Sequence, residues 1–320
     1  MDLGGRGMPT HPKDDEFKKA YESSYSDKEV MEKLGIRDPR SYRRRKRRYE
    51  DRNGPLEFSK AYQHNRHYIP IKHHHKSIND FTGTIVIFSD AHFRESEPSE
   101  AFSILIQVCK KLKPEYILNN GDAFDGASLS RFPRIGWEIL PTVVEELRET
   151  KRCLNEIKEA SSTSQLLWSV GNHDNRMSTF ISNHASMFEG VEGFKLEDHF
   201  KDWMFQYSFS FNDTFVVKHR FGSGIHAAYN NVLKSGLSIA TGHTHRLMVR
   251  PFSDYRGIRY GIECGTIANL YGAQFHYAEN MTRDWQSGFV VVGVHEGTIY
   301  PELVSVDKGK AFFRGEVITA

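Results

Sequence analysis

The sequence has few cysteines and no long apolar run, and each absence excludes a class of protein. The three cysteines, Cys109, Cys153 and Cys264, form no C-x-x-C pair, which argues against a disulfide framework and a cysteine-based zinc site. No apolar run approaches the roughly 18 residues that a membrane-spanning helix needs. The first residues contain no apolar stretch typical of a secretory signal. We therefore expect a cytoplasmic protein with no membrane partner.

Charge is distributed unevenly along the chain, although the net charge is only +2. Residues 1–80 contain 19 Lys and Arg against 13 Asp and Glu, whereas the remaining residues contain 24 against 28. A basic N-terminal quarter joined to a mildly acidic remainder indicates two tasks. We predict a basic helical segment over residues 1–55, a linker over 56–80, and one large domain over 81–320.

The N-terminal segment is predicted to form three short helices. Gly35 ends the second helix, and Pro39 lies near the start of the third, which contains "RSYRRRKRRYEDR". Three short helices with a glycine turn before the third resemble a helix-turn-helix DNA-binding unit. Its third helix would present six basic residues to phosphates or guanine edges: Arg43, Arg44, Arg45, Lys46, Arg47 and Arg48. A solvated basic helix and a protein-binding unit are the alternatives.

From residue 83 onward, strands and helices alternate, which is typical of an α/β fold with mixed sheets. "TIVIF", "YILNN", "QLLWSV" and "LSIA" read as buried strands, and "DWMFQYSFSFNDTFVVKH" as a hairpin around an Asn-Asp turn. A long helix is predicted over "GWEILPTVVEELRETKRCLNEIKEA", kinked or begun at Pro141.

Polar side chains follow five of these strands directly. The segments are "SDAH" (89–92), "GDAFD" (121–125), "GNHD" (171–174), "KHR" (218–220) and "GHTH" (242–245). Ligands bind at the carboxyl ends of strands in α/β folds because the loops there converge. Imidazole, carboxylate and amide groups without thiolates suit first-row divalent metals. The donors are numerous enough for two ions, with Mn as the first candidate and Fe, Zn, Co, Ni or Mg as alternatives.

These motifs, in this order, resemble the calcineurin-like metallophosphoesterase superfamily, in particular its nuclease-like and phosphodiesterase-like branch of phage or bacterial type. The resemblance implies a four-layer α-β-β-α sandwich of two mixed sheets over residues 81–320. It implies a host-cytoplasmic location if the chain is phage-encoded. It also implies that Asp122 bridges two metals, that the first is held by Asp90, His92 and His245, and that the second is held by Asn172, His219 and His243.

The same resemblance assigns roles to the remaining polar residues. His173 is expected to face the substrate and protonate the leaving oxygen, with Asp174 orienting it and Asp125 just outside the ligands. His219 directly follows an apolar strand and is better placed for the fourth motif than His226, which is predicted to contact substrate. Arg131 and Arg134, in "SLSRFPR", are further candidates for contacts with a substrate phosphate, against the alternative of a solvated loop.

The function expected from these features is hydrolysis of DNA phosphodiester bonds by water that two metals activate. The "GNHD" segment departs from the "GNHE" typical of Ser/Thr protein phosphatases, and Gly126 replaces the arginine that follows their second motif. The basic segment favours a nucleic-acid substrate. The alternatives are a small-molecule phosphatase or cyclic-nucleotide phosphodiesterase, and a DNA-binding regulator whose phosphoesterase domain is catalytically idle.

Overall fold

The computed structural model describes residues 12–24, 27–53, 56, 74–95, 99–279, 281 and 283–320. The chain divides into two compact units, Met1–His73 and His74–Ala320. The first unit contains the three predicted helices, α1 (Pro12–Glu22), α2 (Asp27–Lys33) and α3 (Pro39–Asn53). Asp38 caps α3, because its side chain accepts hydrogen bonds from the backbone N–H groups of Arg40 and Ser41, each at 3.0 Å.

The three helices enclose a small core that decides which side of α3 faces solvent. Its largest members are Phe17, Tyr21, Tyr42 and Tyr49. Because Tyr42 and Tyr49 are seven residues apart, they lie on one face of α3. Two of the six predicted DNA-contacting residues flank that face. The Arg45 guanidinium lies 5.3 Å from the Phe17 ring centroid, and Lys46 Nζ donates to the Tyr21 hydroxyl at 2.9 Å. The four that are exposed are Arg43, Arg44, Arg47 and Arg48.

The second unit contains five helices among its described residues: α4 (Glu100–Leu112), α5 (Val143–Ala160), α6 (Arg176–His184), α7 (Leu196–His199) and α8 (Ala227–Ser235). Short 3₁₀ turns occur at Ala127–Leu129, Ser186–Phe188 and Ala273–Ala278. The first seven strands are β1 (His75–Ile78), β2 (Gly83–Phe88), β3 (Tyr116–Asn119), β4 (Gln165–Ser169), β5 (Met204–Gln206), β6 (Ser208–Phe211) and β7 (Phe215–Val217). The remaining strands are β8 (Ser238–Thr241), β9 (Leu247–Asp254), β10 (Gly257–Cys264), β11 (Gly288–His295), β12 (Thr298–Ser305), β13 (Lys310–Phe313) and β14 (Glu316–Thr319).

The strands form two mixed six-stranded sheets and a separate hairpin of β13 and β14. Sheet one has the order β12-β11-β2-β3-β4-β5, and sheet two has the order β1-β6-β7-β8-β10-β9. The alternation of β2 shows how sheet one is packed. Ile85 and Ile87 join the apolar layer between the sheets, whereas Val86 and Phe88 face the layer formed with α4 and α5. With α8 packed against sheet two, the predicted four-layer α-β-β-α sandwich is confirmed.

Local boundaries differ from the prediction at three places. Residues 75–78, assigned above to the linker, form β1 and pair with β6. The long helix begins at Val143, because Thr142 accepts from the Glu145 backbone N–H and Glu145 accepts in return. The predicted hairpin turns at Asn212 and Asp213, which have φ of 52° and 53°, but its first strand is divided between the sheets as β5 and β6. Among the described helices, none combines the length and apolar character needed to cross a membrane.

Candidate metal centre

The predicted metal ligands follow the carboxyl ends of strands in both sheets. In sheet one, β2, β3 and β4 run parallel, so the segments that follow them emerge at the same edge. In sheet two, β7 and β8 are also parallel. The structure brings the two edges together, and the centre lies between them. Sheet one supplies Asp90, His92, Asp122 and Asn172, and sheet two supplies His219, His243 and His245.

Asp90, His92 and His245 form the first ligand group. One ligand atom from each lies within 4.8 Å of the other two. His245 Nε2 is 3.2 Å from Asp90 Oδ1, yet that oxygen has no hydrogen-bond partner among the described residues. Two ligand atoms that face a common point without hydrogen bonding are arranged as around a cation. The grouping agrees with the resemblance to the superfamily.

Asp122, His219 and His243 form the second group by the same distance criterion. His219 Nδ1 faces the Asn120 carbonyl oxygen at 2.6 Å, and since a carbonyl only accepts, Nδ1 carries a proton. Its Nε2, 3.0 Å from Asp122 Oδ2, is left to bind metal. Buried His219 therefore occupies the place of the fourth motif. His226 is exposed and belongs to neither group.

The orphaned polar atoms test whether these residues fit metal ions. Within the described part of the chain, five buried atoms of the two groups and of neighbouring Asn172 lack any hydrogen-bond partner: Asp90 Oδ1, His92 Nε2, Asn172 Oδ1, His219 Nε2 and His245 Nδ1. Buried polar atoms without partners are unfavourable, typically by about 1–3 kcal/mol each. Divalent cations would supply partners for carboxylate, amide and imidazole atoms of this kind. The donor set, which contains imidazole nitrogens and carboxylate or amide oxygens, fits two such ions.

The backbone at the centre is strained and closely packed. Five of the ligands have left-handed φ values between 41° and 70°: Asp90, His92, Asp122, His243 and His245. Such conformations in non-glycine residues cluster at functional sites. Two glycines allow the close approach of these segments. A Cβ on Gly171 would lie 2.0 Å from Asp122 Oδ1, and one on Gly242 would lie 2.1 Å from Ser89 Oγ.

The electrostatics of the centre are those of a negatively charged cavity. Burial raises the pKa of Asp90, but the charges of His245 and His219 outweigh it and lower the pKa to about 2. The pKa of Asp122 is lowered for similar reasons, although burial opposes it. Burial lowers the pKa of His219, but the charges of Asp122 and Asp90 prevail and raise it to about 10. Burial and the neighbouring His219 charge lower the pKa of His243 to about 4. The ionised carboxylates thus favour cations, either protons or metals.

His173 is oriented by Asp125 and not, as predicted, by Asp174. His173 Nδ1 lies 2.6 Å from Asp125 Oδ1, which is also 3.2 Å from His92 Nδ1. Asp174 instead accepts from the Trp168 indole N–H at 2.9 Å and from the backbone N–H groups of Gly171 and Asp122. Asp174 points back into the fold because these donors surround it, so it holds the two motifs together without touching the His173 ring.

Aromatic residues enclose the first ligand group. The Phe275 ring centroid lies 5.6 Å from those of both His92 and His245, and the Trp285 centroid lies 4.5 Å from that of His245. These contacts fix the imidazole planes and exclude water from one side of the centre. Phe275 is buried, so it packs against the ligands and is not available to substrate.

Asn172 and His243 also line a cleft of about 810 Å³ beside the centre. Of the three residues predicted to contact substrate, Arg131 lines this cleft. Arg134 instead donates to the Glu138 carbonyl oxygen, and His226 lines a separate surface cavity because it lies at the start of α8. Three cationic residues of the cleft were not predicted: Arg176, Lys218 and Arg220. The last two flank the ligand His219 in the sequence, and this adjacency was the available signal.

The chain is similar to proteins of known sequence and to solved structures. The Gene 54 proteins of Mycobacterium phages L5 and D29 are each 24% identical to this chain over 251 residues, covering 73% of this chain and 97% of each relative. Among solved structures, a Vps29 mutant from Entamoeba histolytica has a TM-score of 0.36 and 10% identity, covering 70% of this chain and 99% of its own. YfcE, a phosphoesterase from E. coli, has a TM-score of 0.32 and 12% identity, covering 70% of this chain and 100% of its own.

The sequence pattern of one family matches residues 83–291, from β2 to the middle of β11, and includes every ligand described above. The chain belongs to the calcineurin-like phosphoesterase family.

Proposed function

We propose that the chain is a metal-dependent nuclease that hydrolyses phosphodiester bonds of DNA. The observation that carries the proposal is the pair of adjacent ligand groups with His173 held at their edge. When bound, two divalent cations supply Lewis acidity at the phosphoryl oxygens and a nucleophilic water at neutral pH. Mn²⁺ is the ion proposed for the assays, because the donor set has imidazole and oxygen ligands and lacks thiolate.

The chain's own residues act on the leaving oxygen and on the charge of the phosphate. Asp125 fixes the ring of His173 through Nδ1, so that Nε2 is left to donate a proton. Burial lowers the pKa of His173, but the negative charges of Asp122 and Asp125 outweigh it and raise the pKa, which favours the protonated donor. Arg176 Nη2 donates towards His173 Nε2 at 3.3 Å. When a phosphate oxygen takes this hydrogen bond in place of Nε2, the charge of Arg176 can stabilise that oxygen and Nε2 is free to carry the proton.

The DNA part of the proposal is supported by the exposed face of α3. Arg43, Arg44, Arg47 and Arg48 form two pairs spaced four residues apart, and none makes an ion pair with a described residue. Such a cluster of unpaired arginines suits a polyanion. Arg45 and Lys46 are proposed mainly to stabilise the helical unit, since both lie over aromatic rings of its core.

A hydrolysis panel tests the catalytic part of the proposal. Wild type, Asp122→Asn and His173→Ala are compared with Mn²⁺ on oligonucleotides, a chromogenic diester and a monoester. His295→Ala, an exposed histidine at the end of β11, is the control. We expect kcat to fall by about 10²–10⁴-fold for His173→Ala, and the control to match wild type. Unchanged rates in both site variants would refute the proposed chemistry. Turnover of monoesters with intact oligonucleotides would identify a small-molecule phosphatase instead.

The salt dependence of binding tests the role of α3. Replacing Arg43, Arg44, Arg47 and Arg48 together by alanine should reduce the slope of log K against log salt on duplex DNA by about 3.6, because each of the four lost phosphate contacts contributes about 0.9. Alanine at Arg148 and Lys234, two exposed cations of the second unit, is the control. An unchanged slope in the fourfold variant would exclude α3 from DNA binding. Hydrolysis of the chromogenic diester would then be a property of the second unit alone.

A further inference from the structure

The cleft beside the metal centre has a composition that the hydrolysis of a phosphate ester does not require. Its volume of about 810 Å³ lies in the upper part of the range of roughly 300–1,000 Å³ found for small-molecule sites. Asn172 and His243 are among the residues that line it, so the cleft borders the candidate metal centre. The cleft is therefore placed to hold the part of the substrate next to the bond that is cleaved.

The walls of the cleft are cationic, and of their four lysine and arginine side chains only Arg176 forms an ion pair among the described residues, with Asp125. Lys218, Arg220 and Arg131 line it, and none of the three forms an ion pair with any described residue. No acidic side chain is among the described residues that line it. Elsewhere in the same unit, exposed arginines such as Arg152 and Arg314 pair with glutamates. Uncompensated cations gathered in one concavity attract an anionic occupant with more than one charge.

Aromatic side chains stand beside these cations. Phe132, Phe221 and Tyr207 line the cleft and are 65%, 48% and 40% exposed. Phe221 directly follows Arg220, and the Arg131 guanidinium lies 5.1 Å from the Phe132 ring centroid. The cleft thus contains two pairs of a cation and an exposed aromatic ring, Arg220 with Phe221 and Arg131 with Phe132. Alternating positive charge and aromatic faces is the arrangement that binds unpaired nucleotides, since every base has a face on which a ring can stack.

We infer that this cleft binds two or more unpaired nucleotides next to the scissile phosphate, with Arg220 and Lys218 contacting phosphates and Phe221 and Phe132 stacking on bases. In a duplex, the faces of the bases are already covered by their neighbours, so the rings would gain nothing. The chain therefore prefers single-stranded DNA or unpaired ends to continuous duplex. This inference rests on the proposed nuclease function, and it names the form of the substrate.

The test compares Arg220→Ala and Phe221→Ala with wild type on three substrates: a fluorescent single-stranded oligonucleotide, the same sequence as a duplex, and bis-p-nitrophenyl phosphate. Tyr255→Ala and Arg256→Ala, an adjacent aromatic and cation on the exposed β9–β10 turn, are the matched controls. We expect each cleft variant to lose about 10-fold or more in kcat/KM on the single strand beyond any loss on the chromogenic diester, mainly through KM. The controls should match wild type.

An abasic oligonucleotide separates stacking from phosphate contacts. On an oligonucleotide that lacks the bases next to the cleavage site, Phe221→Ala should cleave at the same rate as wild type, because no base is left to stack. Arg220→Ala should still cleave this substrate more slowly than wild type, because its phosphates remain. DNA cleavage by wild type with cleft variants equal to the controls would overturn the inference and leave the nuclease function standing. Faster cleavage of duplex than of single strand would also overturn it. Hydrolysis of the chromogenic diester with all DNA left intact would overturn both proposals.

Discussion

Replacing Gly171 by alanine should displace the carboxylate of Asp122, which the resemblance predicts to bridge the two metals. The added Cβ would lie 2.0 Å from Asp122 Oδ1 and 2.7 Å from the Asp122 backbone nitrogen. A contact this short cannot persist, and Asp122 Oδ1 is also the acceptor of the His173 backbone N–H at 2.8 Å. The carboxylate and the "GNHD" segment must therefore separate by about 1 Å, which also moves Asn172 because it is the next residue.

The expected magnitude follows from that displacement. Overpacking of this kind destabilises a fold by about 1–3 kcal/mol, and a shift of about 1 Å at a reacting centre reduces rates by about 100-fold. Gly171→Ala should thus bind fewer metal ions per chain and hydrolyse the chromogenic diester about 100-fold more slowly. Metal content by mass spectrometry, thermal unfolding and steady-state rates measure these three effects.

Gly293→Ala is the matched control, because a Cβ on that β11 residue would make an ordinary contact of 3.8 Å with Tyr300 Cβ. It should retain wild-type metal content and rate. If Gly171→Ala, like the control, bound as many ions per chain as wild type and turned over substrate at the wild-type rate, the ligand loops would be able to move apart without loss of metal binding. The reasoning that close packing fixes the metal ligands would then be refuted.

Three further predictions concern buried carboxylates. Burial raises the pKa of Glu146 to about 7 from an ordinary 4.5, so its contribution to stability is fully present below pH 4.5 and is lost as the pH rises through 7. This loss in the free energy of unfolding amounts to about 3 kcal/mol, and it should be absent from Glu146→Gln when urea unfolding is measured at a series of pH values. If the free energies of wild type and variant changed with pH in parallel, Glu146 would not have the raised pKa. Trp168→Phe removes the indole donor to Asp174 and should lower the free energy of unfolding by at least about 2 kcal/mol, whereas a change below about 0.5 kcal/mol would show that the hydrogen bond is unimportant. Asp125→Asn removes a negative charge beside His173, so the pKa of that ring should fall and the high-pH limb of the kcat profile should move to lower pH; an unmoved limb would exclude His173 as the proton donor.

The candidate metal ligands were predictable because each depends on local order in the sequence. Asp90, Asn172 and His243 each follow an apolar strand closely, and the carboxyl ends of parallel strands meet by geometry. The choice of His219 over His226 had the same basis, since His219 follows β7 at a distance of two residues. Patterns of this kind need no knowledge of how distant segments pack.

Features that depend on packing between distant segments were not predictable. Nothing in the alternation of residues 204–211 indicates that β5 joins sheet one and β6 joins sheet two, since both parts have the same period. Asp174 is adjacent to His173 in sequence, but the fold places Asp125 on the imidazole, because Asp174 is enclosed by Trp168 and backbone donors. Strand β1 contains one apolar residue, Ile78, so it gave no recognisable strand signal.

Each of the two candidate ligand groups combines side chains that follow strands of both sheets, across an interface that apolar side chains otherwise dominate. Ions held there act as cross-links between the two halves of the sandwich, so loading contributes to folding free energy as well as to chemistry. A thermal melt with and without added manganese should therefore report occupancy directly, even before any substrate is known. For the same reason, a variant that binds no ions should unfold more readily than the loaded wild type. Its rate of digestion by proteases is then a second measure of metal binding.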